Sequence, residues 1–223
     1  PSPPANTPQG LANLLWSYAK LPVCPPEVVA ALVSKIAAEV ASSLRAGPGD
    51  DPSKAFDAQA LSNSIWALAH LKSRGMDLDT FGGATLAFLE AVAAAAARML
   101  ARLQQQLLAL PRPGGPGGAP DAAQLLAAAE ADFSCQALVN ICWALATIVG
   151  PACGTHPPFR QLFSVVNAES IGRLRATAAL LRARAPLPYH HGAGGFGGGF
   201  NEQALSNAVY AFDKAGLLQH DLL

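Results

Sequence analysis

Asp57-Ala-Gln-Ala-Leu-Ser-Asn-Ser-Ile-Trp-Ala-Leu-Ala-His-Leu-Lys72 is one of four copies of a single phrase. The others begin at Thr7, Ser134 and Asn201 and share the frame cap-x-Gln-x-Leu-x-Asn-x-apolar-aromatic. Thr7, Asp57, Ser134 and Asn201 stand in register, and each has a side-chain oxygen able to accept from the free N–H groups of a first helical turn. Pro8 occupies a first helical position, where a missing N–H does no harm. Phe56, Phe133 and Phe200 precede their caps, with Leu61, Leu138 and Leu205 one turn in, which predicts a hydrophobic staple in three copies. Asn6 stands in place of the Phe in the first. A repeated helical unit predicts a stack, and stacks present an extended binding face.

The phrases place A helices near 7–21, 57–71, 134–149 and 201–215. Pro22, Gly75, Gly150–Pro151 and Gly216 end them. A second helix follows three of the four: about Pro26 to Arg45, about Ala84 to Leu110, and one opening at Pro157 that is expected to break near Asn167 and resume through Leu181. A short extra helix, Asp121–Ala131, precedes the third copy. Ala46–Ser53, Pro111–Pro120 and Pro186–Gly199 are too rich in Pro and Gly to build a core and read as loop insertions. They account for the uneven spacing of Asn13, Asn63, Asn140 and Asn207. The expected fold is all-α: one array over residues 1–223, an α-solenoid of stacked antiparallel helical hairpins with Pro/Gly-rich insertions.

The chain has 223 residues, is 51% hydrophobic and carries no formal net charge; its mean hydropathy is +0.26. That suffices for a large core. Ala84–Ala97 is broken by Glu90 and followed by Arg98 and Arg102, so it reads as a buried helix and no membrane span is expected. Zero net charge excludes nucleic-acid binding by bulk electrostatics alone, and any such function must rest on local features. Cys24, Cys135, Cys142 and Cys153 form no C-x-x-C pair and read as free, buried thiols. The first residue is Pro1, so the chain reads as a processed or partial piece whose targeting peptide is not visible.

On a helical wheel the shared Gln and Asn, four apart, lie one above the other. The pairs are Gln9/Asn13, Gln59/Asn63, Gln136/Asn140 and Gln203/Asn207. Ser17 and Lys20, Ala67 and His70, Ala144 and Thr147, and Ala211 and Lys214 are expected to continue the stripe. Amides offer paired donors and acceptors to base edges, sugars and phosphates, and Lys20, His70 and Lys214 add phosphate contacts. The alternative is that each Asn bonds the backbone of the next repeat and holds the stack in register. Trp16, Trp66, Trp143 and Tyr210 sit at the edge of the apolar arc, where packing between helices is the ordinary use; base stacking is the sharper one. Arg160, Arg173, Arg175, Arg182 and Arg184, opposed only by Glu169, read as a phosphate-contact patch or as a solvated helix face. His190 and His191 have no ligand cluster beside them, and Asp50–Asp51 reads as solvated loop. No catalytic motif, metal site or cofactor site is found, so the reading is non-enzymatic.

Leu11-Ala-Asn-Leu-Leu-Trp-Ser-Tyr-Ala-Lys-Leu21, Leu61-Ser-Asn-Ser-Ile-Trp-Ala-Leu-Ala-His-Leu71 and Pro25-Pro-Glu-Val-Val-Ala-Ala-Leu resemble the two halves of an octotricopeptide repeat. The fourth copy departs from the pattern, with Tyr210 for Trp and Asp213 for Ala. The resemblance implies a solenoid of paired helices in a nuclear-encoded protein of the chloroplast or mitochondrion. It further implies binding to particular single-stranded RNAs to govern their stability, splicing or translation, or a place as a structural component of an organellar ribosome, bound to ribosomal RNA and protein neighbours. A protein–protein scaffold, which would present a dry apolar groove, is the remaining alternative.

Overall fold

The computed structural model describes residues 7–45, 55–109, 122–183, 200 and 202–217. Among them the chain is all-helical, without a strand: α1 (Pro8–Lys20), α2 (Pro26–Arg45), α3 (Ala58–Ser73), α4 (Gly83–Ala109), α5 (Ala122–Asp132), α6 (Cys135–Val149), α7 (Pro157–Arg182) and α8 (Glu202–Lys214). The three Pro/Gly-rich insertions, together with Asn201, Asp50–Asp51, His190, His191 and Arg184, lie outside the described residues.

Helix starts follow the local chemistry. Thr7 Oγ1 accepts from Gly10 N at 3.1 Å, Asp57 Oδ1 from Ala60 N at 2.7 Å and Ser134 Oγ from Ala137 N at 3.1 Å. Each such cap stabilises its helix by about 1 kcal/mol. Helix ends are equally local. After α3, Gly75 takes φ +93°, while Gly75 N donates to Lys72 O and Met76 N to Leu71 O. After α8, Gly216 takes φ +68°, with Leu217 N on Phe212 O. Both are left-handed stops in which an apolar residue folds back over the last turn.

The phrase-bearing helices α1, α3, α6 and α8 pack in that order, and α2, α4 and α7 form a second series against them, with α5 wedged against α4 and α7. Basic side chains tie helix ends to neighbouring helices. The Arg74 guanidinium at the end of α3 donates to Ala19 O at 2.9 Å, Leu21 O at 2.7 Å and Pro22 O at 2.9 Å, closing the end of α1. Lys72 Nζ donates to Ile148 O at the end of α6, and Arg98 Nη1 to Leu44 O at the end of α2. Helix C-termini carry free carbonyls and partial negative charge, so three basic side chains serve as caps between neighbours.

One continuous core runs from Leu11 to Ala215, with a small second cluster of Cys135, Val139, Phe200 and Ala204. By length and composition α4 (over Gly83–Leu108) and the stretch Cys135–Gly154 are apolar enough to cross a bilayer. In the fold, Phe88, Val92, Ala96 and Leu100 of α4 and Leu138, Ile141 and Leu145 of α6 are buried in this helical core.

Four expectations change. The break near Asn167 does not occur: α7 is continuous, because Glu169, Ser170 and Arg173 are buried and bind the second half to its neighbours. The fourth staple is incomplete. Phe200 is buried, but Leu205 and Val209 are exposed, since no helix beyond α8 covers that side among the described residues. Ala67, Ala144 and Ala211 do not continue the polar stripe; all three are fully buried, whereas Ser17 is exposed. Finally, Cys24 is only half-buried, while Cys135, Cys142 and Cys153 are buried and free. Burial pushes the Cys135 and Cys153 thiols up to about 12 and raises Cys142 as well, which leaves them unreactive at neutral pH.

Candidate nucleic-acid interface

Starting from the shared Gln, the residues four, seven and eleven positions on fall within an arc of about 60° at about 100° per residue. Each phrase-bearing helix therefore presents a four-residue stripe. The stripes are Gln9, Asn13, Trp16 and Lys20 on α1; Gln59, Asn63, Trp66 and His70 on α3; Gln136, Asn140, Trp143 and Thr147 on α6; and Gln203, Asn207, Tyr210 and Lys214 on α8. All sixteen side chains are exposed or half-buried.

The amides pair along each helix rather than between helices. Gln9 Nε2 donates to Asn13 Oδ1 at 2.8 Å, and Gln136 Nε2 to Asn140 Oδ1 at 2.7 Å. Among the described residues none of the four Asn side chains bonds the backbone of a neighbouring helix, so the register-holding role considered for them is not what this fold uses. In each bonded pair the Asn NH2 and the Gln carbonyl keep hydrogen-bonding capacity for something outside the protein.

The aromatic rings lie, as expected, at the edge of the apolar arc, and they differ in how far they are covered. Trp143 is half-buried and packs against the core, and Trp66 is half-buried, whereas Trp16 and Tyr210 stand exposed among the polar residues. Trp16 is 42% and Tyr210 48% exposed. Lys20 Nζ lies 5.1 Å from the Trp16 ring centroid and 4.8 Å from that of Trp66, so one ammonium bridges α1 and α3. His70 stacks on Trp66 at 5.0 Å with 8° between planes. Lys214 Nζ sits 5.3 Å from the Tyr210 ring and 3.0 Å from its hydroxyl. The spacing from Asn to aromatic to cation, three then four, was readable in the sequence once the wheel is centred on the Gln.

Electrostatically the face is mildly positive. Desolvation first, then Lys20 and Arg74, hold the His70 pKa below its ordinary value, so His70 is neutral at pH 7. Thr147 occupies the variable position of α6, and its Oγ1 is buried without a hydrogen-bond partner.

The arginine group does not form one patch. Arg160, Arg175 and Arg182 are exposed on α7, in the series that does not carry the stripe. Arg173 is buried, at 3% exposure, which corrects its reading as a phosphate contact. Its Nε donates to Glu169 Oε1 at 2.8 Å, Nη1 to Glu130 Oε2 at 3.2 Å, and Nη2 to Ala129 O at 3.2 Å. Glu130 Oε2 also accepts from Cys135 N at 3.0 Å. Glu169 is thus not the only opposing charge: the fold brings in Glu130 from α5, and the guanidinium ties α5, α6 and α7 together.

Compared with known protein-family models, curated proteins and solved structures, the chain matches none.

Proposed function

We propose that this chain is a non-enzymatic, organellar RNA-binding protein built as an α-solenoid of octotricopeptide-like helical hairpins, acting in RNA stability, processing, splicing or translation. The observation that carries the reading is the repeated stripe of Gln, Asn and an aromatic ring on α1, α3, α6 and α8, ended by a lysine on α1 and α8. Its residues combine hydrogen-bonding groups for base edges, rings for stacking and cations for phosphates, the three elements used on single-stranded RNA. The packing of α1, α3, α6 and α8 in that order, with α2, α4 and α7 against them, supports the solenoid arrangement, because a stack aligns such stripes into a track.

Filter binding or gel shift against organellar RNA pools tests the proposal. Salt-sensitive, sequence-selective binding that falls on joint Gln59→Ala and Asn63→Ala substitution is expected. Binding indifferent to both changes sinks it.

A structural place in an organellar ribosome is the second reading. It is favoured by the basic side chains used inside the fold: Lys72, Arg74, Arg98 and Arg173 all bond carbonyls or carboxylates of the protein itself. With no formal net charge on the chain, contacts to protein neighbours would have to share the binding. Co-sedimentation with organellar ribosomal particles in high salt separates this reading from a free regulatory factor.

A further inference from the structure

We infer that the seam between α1 and α3 is a subsite for one unpaired base and its phosphate, with Trp16 and Trp66 as the stacking surfaces and Lys20 as the phosphate contact. The inference rests on the single-stranded RNA reading above and gives it a binding mode.

Three observations carry it. First, a single ammonium within 5.1 Å of one indole centroid and 4.8 Å of the other means that both rings open toward the same point. Two π faces converging on a cation also suit a flat, polarisable ring, and every base has one. Second, the surface is preorganised yet open. The near-parallel His70 ring, 8° from the Trp66 plane, fixes that indole from the side of its own helix. Trp16 and Lys20 remain exposed on α1. Preformed aromatic surfaces lose little entropy on binding. Third, among the described residues no carboxylate pairs with Lys20; the only ion pairs are Lys35–Glu39, His156–Glu90 and those of Arg173. An ammonium that faces only rings and water exchanges them for a phosphate without breaking a salt bridge.

The other copies show why this seam is singled out. On α6 the cation position is Thr147, so Trp143 has no charged neighbour at that spacing. On α8 the Lys214 ammonium is already bonded to the Tyr210 hydroxyl. Only the first two copies place two indoles around one free cation. A base held between two rings must be unstacked from its own neighbours, so the subsite selects single strands over duplex.

The test uses the intact chain and two fluorescein-labelled probes, a ten-nucleotide oligoadenylate and its abasic counterpart, with circular-dichroism melts to verify that each variant is folded. Wild type is expected to bind oligoadenylate with quenching of tryptophan emission, and to bind duplex RNA more weakly. Trp16→Leu should lose about tenfold or more for oligoadenylate, from the usual worth of one stacked base, and nothing for the abasic probe, while Trp16→Phe keeps most of the affinity. Lys20→Met should weaken both probes by a similar factor. Oligoadenylate binding that survives Trp16→Leu unchanged, or duplex bound as tightly as single strand, overturns the inference and leaves RNA binding intact. Oligoadenylate binding through Trp16 without selectivity toward any organellar RNA overturns the proposed function and leaves the subsite standing. No binding to either probe overturns the inference, and no binding to organellar RNA pools as well overturns both.

Discussion

Replacing Arg173 by Met tests the most consequential correction made by the fold. As a solvent-facing phosphate contact, Arg173 would be dispensable for stability. In the structure its side chain is 3% exposed and Glu169, its partner one turn earlier, is 8% exposed. Methionine keeps the apolar stem in place but leaves the Glu169 carboxylate in the interior with no counter-charge, and takes from Ala129 O one of its two donors, the other being Phe133 N. Removing one partner of a buried, hydrogen-bonded ion pair costs about 3–5 kcal/mol, most of it from the orphaned charge. That is a large fraction of the stability of a typical domain. Urea unfolding followed by far-ultraviolet circular dichroism gives the change by linear extrapolation. The double variant Arg173→Met with Glu169→Gln removes the orphan and should recover about half of the loss or more. A single variant within about 1 kcal/mol of wild type, or a double variant no better than the single one, refutes the reasoning. The rival reading has its own signature: unchanged stability, weaker RNA binding, and a salt slope shallower by about 0.7.

Four further outcomes follow from single contacts. Asp57→Ala removes the acceptor 2.7 Å from Ala60 N and should lower stability by about 1 kcal/mol; no change in the urea midpoint would show that the cap does not operate in solution. Gly75→Ala meets no atom within 4 Å but sits at φ +93°, so the backbone alone should cost about 1 kcal/mol, read in the same unfolding assay. Thr147→Val replaces a buried hydroxyl without a partner and should leave stability unchanged or raise it by up to about 1 kcal/mol; a loss of that size would reveal a hidden partner. His70 is held below its ordinary value of 6.5 in the free protein, and a bound phosphate would raise it. The complex then binds more protons than the free state, so RNA affinity should rise as pH falls through the region below 6.5. A His70→Gln variant should be flat there, and an unchanged pH profile would remove His70 from the interface.

The limits of the sequence are instructive residue by residue. Thr7, Asp57 and Ser134 were readable as caps, and Gly75 and Gly216 as stops, because each acts on backbone groups within a few positions of itself. The Gln–Asn pairing at one helical turn was readable for the same reason. Asn167 looked like a break because its intrinsic helix propensity is poor; the buried Glu169–Arg173 pair on the next turn overrides a preference worth only a fraction of a kcal/mol. Arg173 looked exposed because the sequence shows its own helix but not Glu130, which arrives from another one. The aromatic of each phrase reads as packing between helices because a ring at the edge of an apolar arc usually does; Trp143 does pack against the core, whereas Trp16 and Tyr210 are exposed.

What the sequence determined by itself is the set of helices and the residue types displayed on each face, since capping, stapling and i-to-i+4 pairing are short-range. Only the tertiary structure decided which of those faces is covered. Ser17 and Ala67 hold equivalent positions in the same phrase, yet Ser17 is exposed while Ala67 is buried. Leu61 and Leu205 are likewise equivalent, yet one is core and the other faces outward. Burial belongs to a helix together with its neighbours, and no phrase specifies its neighbours. The same dependence leaves Trp16 exposed and Trp66 half-buried, with Lys20 over both rings.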